Sequence, residues 1–288
     1  MGVNNQVFIT EALQSDPPLR VKHETLMSFR KVAFEFGNVG CCLVSLGDSR
    51  VSATVTATIG EPLQNQQNEG RILISVNDTA RHATMAEKSL LENLLQAHLT
   101  RVITRLNAVN REALVIADNK VWILRVDTKI LNNDGNLTDA CTLAAVAALR
   151  HFRLPITDVT HHADGSQRVK VMPASSHDPR PLDMPGEPLS CSFMVMPTTP
   201  PTIVADPTAE EEETAACSPV TVLIDGAGRC CGLIKPGGPP IPPDTINALV
   251  KAADELTRPL CKRLSNEVAV DHQRRKVEMI RDARMRDT

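Results

Sequence analysis

The stretch "KVWILRVDTKILNNDGNLTDACTLAAVAALRHF" (120–152) constrains the fold more than any other. Over residues 120–131, Trp122, Leu124, Val126 and Ile130 share one face while Arg125, Asp127 and Lys129 share the other, the period of a half-buried strand. A tight Asn/Asp/Gly turn follows. Asn136 then stands as the N-cap of a helix running from Leu137 to about Phe152. That helix is apolar almost all round and rich in Ala, which places it in the interior, packed closely against a sheet. A helix that starts in a turn after a strand has free amide groups, a place suited to an anion. The triplet Gly135-Asn136-Leu137, however, supplies neither cation nor hydroxyl, and Asp134 and Asp139 flank it. It reads as a degenerate phosphate site, with Asn136 an ordinary helix cap.

Around this centre the pattern is mixed. Lys31–Gly37, Cys41–Leu46 and Val51–Ile59 read as antiparallel strands joined by short turns, and Arg71–Val76 as a further strand. From Glu87 to Leu106, Leu91, Leu94, Leu95, Leu99, Val102 and Leu106 recur at helical spacing behind a Thr84/Glu87 capping box. Nine of the twenty prolines fall between Pro155 and Pro201, which suggests loops between edge strands, with strand candidates at Arg168–Met172 and Ser190–Val195. Strands resume at Pro201–Ala205, Val220–Asp225 and Cys230–Ile234. From Asp244 a long helix carries Ile246, Leu249, Val250, Ala253, Leu256, Leu260 and Leu264 on one stripe and is expected to kink near Pro259. The class is α+β.

Composition removes several functions. No run reaches the roughly 18 consecutive apolar residues of a membrane span, and no early segment looks like a signal peptide. A soluble, intracellular chain without membrane contact is expected. The eight cysteines form no CxxC knuckle, so buried thiols rather than a metal site are expected, and His161, His162 and His177 read as loop residues. A net charge of −3 provides no global field for nucleic acid, and six Phe, one Trp and no Tyr cannot build a base-stacking platform. If RNA is held, it is held by its backbone.

The 120–155 segment, ending "RHFRLP", resembles the RNase PH-like subunits of the eukaryotic RNA exosome core, nearest the non-catalytic branch called component nine. "NNQVFITEAL" is similar to that branch's N-terminal arm and "FRKVAFEFGNVGCCLVSLGDSRV" to the family's first hairpin. "IVADPTAEEE" and "GLIKPGG" look like its later strand and acidic loop. The resemblance implies an α+β RNase PH-like fold of the ribosomal protein S5 domain 2-like type, spanning 1–288 as one unit. Its parts would be an arm (1–30), a first ββαβα part (31–155), a second sheet with the long helix (156–265) and a charged C-terminal extension (266–288). Two departures stand out. Leu19-Arg20-Val21-Lys22-His23-Glu24 replaces the family's R-L-D-G-R, and a charged stretch ending in Arg281, Arg284 and Arg286 stands where some relatives have an acidic tail.

In catalytic relatives, phosphate attacks the terminal RNA linkage. The resemblance implies a Gly-Ser/Thr-Arg triplet at the turn and an acidic residue just before the strand at Val220. Here Gly135-Asn136-Leu137 and Cys217-Ser218-Pro219 occupy those places, so no catalytic residue, metal or cofactor is expected. Glu210–Glu213 read as a solvated acidic loop. Arg101 and Arg105, four apart on one helix face, with Arg111 in the next loop, are the RNA-contact candidates, joined more weakly by Lys22 and Arg20. The resemblance implies a hetero-hexameric ring of RNase PH-like exosome subunits, S1/KH-type cap subunits, an associated hydrolytic nuclease and RNA as partners. It also implies rRNA processing and RNA degradation in nucleus, nucleolus and cytoplasm. A phosphorolytic 3′–5′ exoribonuclease is the alternative. The Arg274-Arg275-Lys276 cluster reads as a charged helix end.

Overall fold

The computed structural model describes residues 3–15, 17–20, 25–79, 84–161, 167–174, 176–213 and 217–286. The alternating segments of the first half form β1 (Val32–Phe36), β2 (Cys41–Leu46), β3 (Ser49–Gly60), β4 (Arg71–Asp78), β5 (Val115–Ala117) and β6 (Lys120–Asn132). They assemble in the order β1-β2-β3-β6-β4, with β5 paired to β6. All pairs are antiparallel except β4, which runs parallel to β6. Register between β3 and β6 sets Val55 opposite Val126 and Val51 opposite Ile130, so one face of the sheet is continuously apolar. Trp122, Leu124, Val126 and Ile130 are all buried there.

The chain covers that face with α2 (Met85–Thr100) and α3 (Leu137–His151). Of the fifteen residues of α3, thirteen are buried, too many for a helix lying on one sheet. The reason is a second sheet behind it. After the short β7 (Arg153–Leu154), the hairpin β8 (Thr157–His161) and β9 (Gln167–Val171), and β10 (Arg180–Pro181), four strands form that sheet: β11 (Leu189–Met196), β12 (Thr202–Ala205), β13 (Ser218–Ile224) and β14 (Cys230–Ile234). Their order is β12-β11-β13-β14, antiparallel throughout. Thus α3 touches β2, β3 and β6 on one side and β11 on the other. Its run of alanines allows both sheets to come close.

A single helix, α5 (Pro243–Arg286), serves both cores. Leu249 and Ala253 pack with Cys191, Phe193 and Val222 of the second sheet, while Leu264 and Val268 join the first-sheet core. Near its end, Asp271 meets His151 of α3, Nε2 to Oδ2 at 2.9 Å. Because His151 Nδ1 accepts the Gly40 amide at 3.2 Å, the imidazole proton sits on Nε2 and is donated to Asp271.

Several expectations change. The polar arm is a helix, α1 (Val3–Gln14), which buries Ile9 and Leu13 against Met194, Met196 and Val204. Helix α2 ends at Thr100, and residues Arg101–Arg105 form a π turn in place of a continued α-helix to Leu106; Leu94, counted on its apolar stripe, is exposed. Pro259 lies inside this one helix, and the charged extension is docked on the fold over its first part: Val268 and Asp271 are buried, His272 stacks on His151 and Arg275 bonds the Gly37 carbonyl. Cys230 and Cys231 are exposed, while Cys42, Cys141 and Cys191 are buried, with burial pushing the Cys42 thiol to about 12. No helix among the described residues is long and apolar enough to cross a membrane.

Leu149 lies fully buried between the sheets, so Leu149→Ala is expected to cost ~2–5 kcal/mol of unfolding free energy. A urea titration followed by circular dichroism measures it.

Candidate functional site

The turn before α3 places two left-handed residues in succession, Gly135 at φ +85° and Asn136 at φ +50°. Asn can adopt this conformation at modest cost, and as N-cap its Oδ1 accepts the Asp139 amide at 3.4 Å. Gly135 is required for a further reason. A Cβ there would stand 2.3 Å from the Ala209 nitrogen and 2.4 Å from the Thr208 carbonyl carbon. Glycine therefore lets the segment after β12 lie directly on the turn, where the Ala209 amide donates to the Asp134 carbonyl at 3.1 Å.

That segment opens α4 (Ala209–Glu212), capped by a reciprocal box between Thr208 and Glu211. Glu211 is buried and the Glu212 tip is tied to the turn, which corrects the reading of Glu210–Glu213 as a solvated acidic loop at those two positions, while Glu213 is exposed. Glu211 is buried and takes Arg20 through two bonds of 2.8 Å, so Arg20, read as a weak RNA candidate, is an interior ion-pair member. Glu212 Oε1 accepts the Asn136 amide at 2.9 Å. This amide is one of the donors that the start of a helix leaves without an intrahelical partner. Arg30, just before β1, is the cation nearest the turn, and it is fully committed. It donates from N, Nε and Nη2 to Asp206 at 2.7, 2.9 and 3.0 Å, and from Nη1 to Asp134 Oδ2 at 3.1 Å and the Asp134 carbonyl at 2.7 Å. Asn136 Nδ2 completes the network, reaching Asp206 at 2.7 Å and Asp139 at 2.9 Å.

Electrostatics follow from this crowding. Burial opposes the charge of Arg30, yet Asp206, Asp134 and Glu212 hold its guanidinium above the ordinary value. Asp139 is raised by complete burial, against hydrogen bonds from Asn136 and Ser192. Residue Glu212 as a whole is exposed, but its carboxylate tip is tucked under the turn. Loss of water there pushes it to about 7, with Asp139 and Asp206 adding repulsion and Arg30 opposing. Gly135, Asn136 and Leu137 are thus brought together with Arg30, Asp206 and Glu212, and the Asn136 amide is taken by the Glu212 carboxylate. An open depression of about 490 Å³ beside the turn holds Arg50 against Asp48 and Asp134, a balance that gives an incoming anion no excess cation.

Where relatives with catalysis would carry an acid, Cys217 is half-buried and its thiol is raised by burial. Ser218 is buried, its hydroxyl donating to the Pro239 carbonyl at 2.8 Å, and Pro219 has no proton to give. Arg101 and Arg105 are both exposed on the π turn, and neither side chain has an ion-pair or hydrogen-bond partner among the described residues. One turn earlier His98 bonds Thr142 of α3 at 3.0 Å and is pushed down to about 4, first by burial and then by the Arg101 charge. Arg111, in the loop that follows, is paired with Glu69 at 2.9 Å. Lys22 lies outside the described residues, as does His162. Among the described residues no group of three or more His, Cys, Asp and Glu is arranged to hold a metal. Arg274 and Arg275 both pair with Asp271, in keeping with a charged helix end.

The geometry of two sheets around a buried helix, with a phosphate-type turn at its start, has known relatives. The family described as 3′ exoribonuclease family matches in two parts, domain 1 over residues 28–155 and domain 2 over 187–255. The chain is 35% identical to exosome complex component RRP45A of Arabidopsis thaliana, an alignment covering 82% of this chain and 77% of that protein. It is 31% identical to RRP45B of the same plant over 98% of this chain, and there it spans 64% of the relative's length. Among solved structures, the Archaeoglobus fulgidus exosome with RNA bound to the active site superposes with a TM-score of 0.73 at 23% identity, covering 90% of this chain and 97% of that one. The chain therefore belongs to the RNase PH family. Within it, the sequence matches the exosome components of the RRP45 type.

Two measurements check the site. Arg30→Ala leaves Asp206 buried without its cation and should cost ~3–5 kcal/mol, read from chemical denaturation. Since the folded Glu212 pKa lies above that of the unfolded chain, the folded protein binds the extra proton. Its contribution to stability is therefore present below the unfolded carboxylate value and is lost as pH rises toward about 7. Glu212→Gln should flatten the stability–pH curve across that window.

Proposed function

We propose that this chain is a catalytically inactive ring subunit of an RNA exosome. In this reading it sits among other RNase PH-like subunits in a hetero-hexameric ring, beneath S1/KH-type cap subunits, and feeds RNA toward an associated hydrolytic nuclease. The work is rRNA processing and RNA degradation in nucleus, nucleolus and cytoplasm. The observation that carries the inactive part is the filled anion position: Glu212 holds the Asn136 amide and Asp206 with Asp134 holds Arg30. An attacking orthophosphate would need those same donors, and would enter against the charge of the carboxylates holding them. The relatives named as exosome components support the ring. Arg101 and Arg105, exposed and without a partner among the described residues, are placed to meet an RNA backbone in this reading.

One observation favours the alternative, a phosphorolytic 3′–5′ exoribonuclease: a carboxylate held near neutrality, as Glu212 is, suits a general acid. The same carboxylate, though, accepts the Asn136 amide at 2.9 Å, so it stands where the nucleophile would have to be and cannot serve both positions.

Incubation of the purified chain with RNA and inorganic phosphate should release no nucleoside diphosphate. Release that Glu212→Gln abolishes would establish the enzyme instead. In a ring reconstituted with its sister subunits, Arg101→Glu with Arg105→Glu should weaken RNA capture while the assembled ring elutes unchanged from size-exclusion chromatography; equal RNA affinity would remove these arginines from the path.

A further inference from the structure

Strand β1 pairs only with β2, and it stands at one end of the order β1-β2-β3-β6-β4. The Gly47 amide donates to the Lys31 carbonyl at 3.0 Å and the Gly37 amide to the Cys41 carbonyl at 3.1 Å, so Ala33 and Glu35 between them hold the bonded positions of the ladder. By the same alternation Val32, Phe34 and Phe36 turn their amides and carbonyls out of the sheet. No strand meets them there among the described residues.

Helix α5 runs beside this row of main-chain groups. The Arg263 guanidinium lies 5.9 Å from the Phe34 ring centroid, and Arg275, further along the helix, donates to the Gly37 carbonyl, so helix and strand point the same way. Between them is an open groove of about 470 Å³ with Phe34, Phe36 and Val270 as its apolar floor. Val270 is 69% exposed. An apolar floor with a charged rim is the composition of a surface that receives another segment.

Charge distinguishes the two ends of the groove. Beside Phe34, Glu267 is matched by Arg263 at 2.6 Å, and Glu35 at the mouth has no ion-pair partner among the described residues. Beyond Phe36 the balance reverses: Arg274 and Arg275 share the single Asp271 carboxylate, and Arg281 is exposed with no ion-pair partner among the described residues. Val270, Arg274, Val277 and Arg281 follow at helical spacing, so one stripe of α5 carries the groove outward as a basic and apolar surface.

We propose that β1 takes an added strand from a partner protein, an extended segment with apolar residues at every second position and acidic residues where it passes Phe36. Its main chain bonds Val32, Phe34 and Phe36 at the ~4.7–4.9 Å spacing of neighbouring strands. Its inward side chains lie on Phe34, Phe36 and Val270, and its carboxylates meet Arg274 and Arg281. A strand suits this face where a helix does not, because amides and carbonyls left over at strand spacing are answered by extended main chain. An antiparallel approach, as in β1 and β2, puts the acidic residues ahead of the apolar ones. The face uses no residue of the turn at Gly135, nor Arg101 or Arg105, so it is independent of the proposed RNA path.

A fluorescein-labelled peptide, Asp-Glu-Glu-Val-Thr-Val-Thr-Val, titrated with the full chain and followed by fluorescence anisotropy, tests the proposal. It should bind. The peptide N-methylated on the amides that face β1, the peptide with Lys at its acidic positions, and the Val270→Asp chain should each show binding weakened about tenfold or more. Because Val270 is mostly exposed, Val270→Asp leaves the core as it is. Hydrogen exchange gives the position: the Phe34 and Phe36 amides should exchange faster than those of Ala33 and Glu35 in the free chain, and slow when the peptide is added. No binding, equal binding of the N-methylated peptide, or unchanged exchange at Phe34 and Phe36 would overturn the proposal. So would an oligouridylate that slows those amides while the peptide does not, or self-association of the chain that Val270→Asp abolishes, since the edge would then belong to RNA or to a second copy.

Discussion

Asp206 is the joint on which the architecture turns. It is fully buried and accepts four hydrogen bonds, three from Arg30 and one from Asn136. Arg30 leads into the first sheet, Asp206 leaves the second, and Asn136 starts the helix between them. A buried carboxylate is tolerable only when its lone pairs are answered this completely. The same requirement fixes the relative placement of three elements that are far apart in the chain. The network that holds the fold together therefore also occupies the Arg30 guanidinium and the Asn136 side chain at the turn before α3.

How much of this the sequence disclosed depends on the range of the interactions. The strand–turn–helix at 120–152 was legible because alternation, a Gly/Asn turn and an all-apolar helix are local signals, and even the burial of α3 on every side follows from its composition. The Asn136 cap was legible for the same reason. Glu211 and Glu212 were not. A run of four acids reads as a solvated loop, and nothing local says that Arg20, about 190 residues earlier, and the Asn136 amide, 76 residues earlier, will meet it. The signal that could have been used is Thr208 with Glu211, a capping box like the one recognised at Thr84 and Glu87. Helix α1 was missed because only Ile9 and Leu13 point inward while Val7 and Phe8 stay exposed, so its apolar residues form no clear stripe.

The arginines sort by the same logic. Arg20, Arg30 and Arg111 are committed to Glu211, Asp206 and Glu69, while Arg101 and Arg105 sit on a π turn with open surroundings. Sequence spacing treated Arg101, Arg105 and Arg111 as one group, yet pairing divides them. A π turn is a common mark of a functional position in a helix, since the extra residue widens the backbone ring and re-aims the side chains around it. Here it carries Arg101 and Arg105, which have no ion-pair partner among the described residues.

The long final helix has a mechanical meaning. At ~1.5 Å per residue, its forty-four residues span ~66 Å. It begins among the residues of one core and ends beyond the last of the other, so it works as a keel. A push or pull on its outer, charged end is delivered without slack to the His151–Asp271 contact and onward to both halves, which are obliged to tilt together rather than flex about a seam.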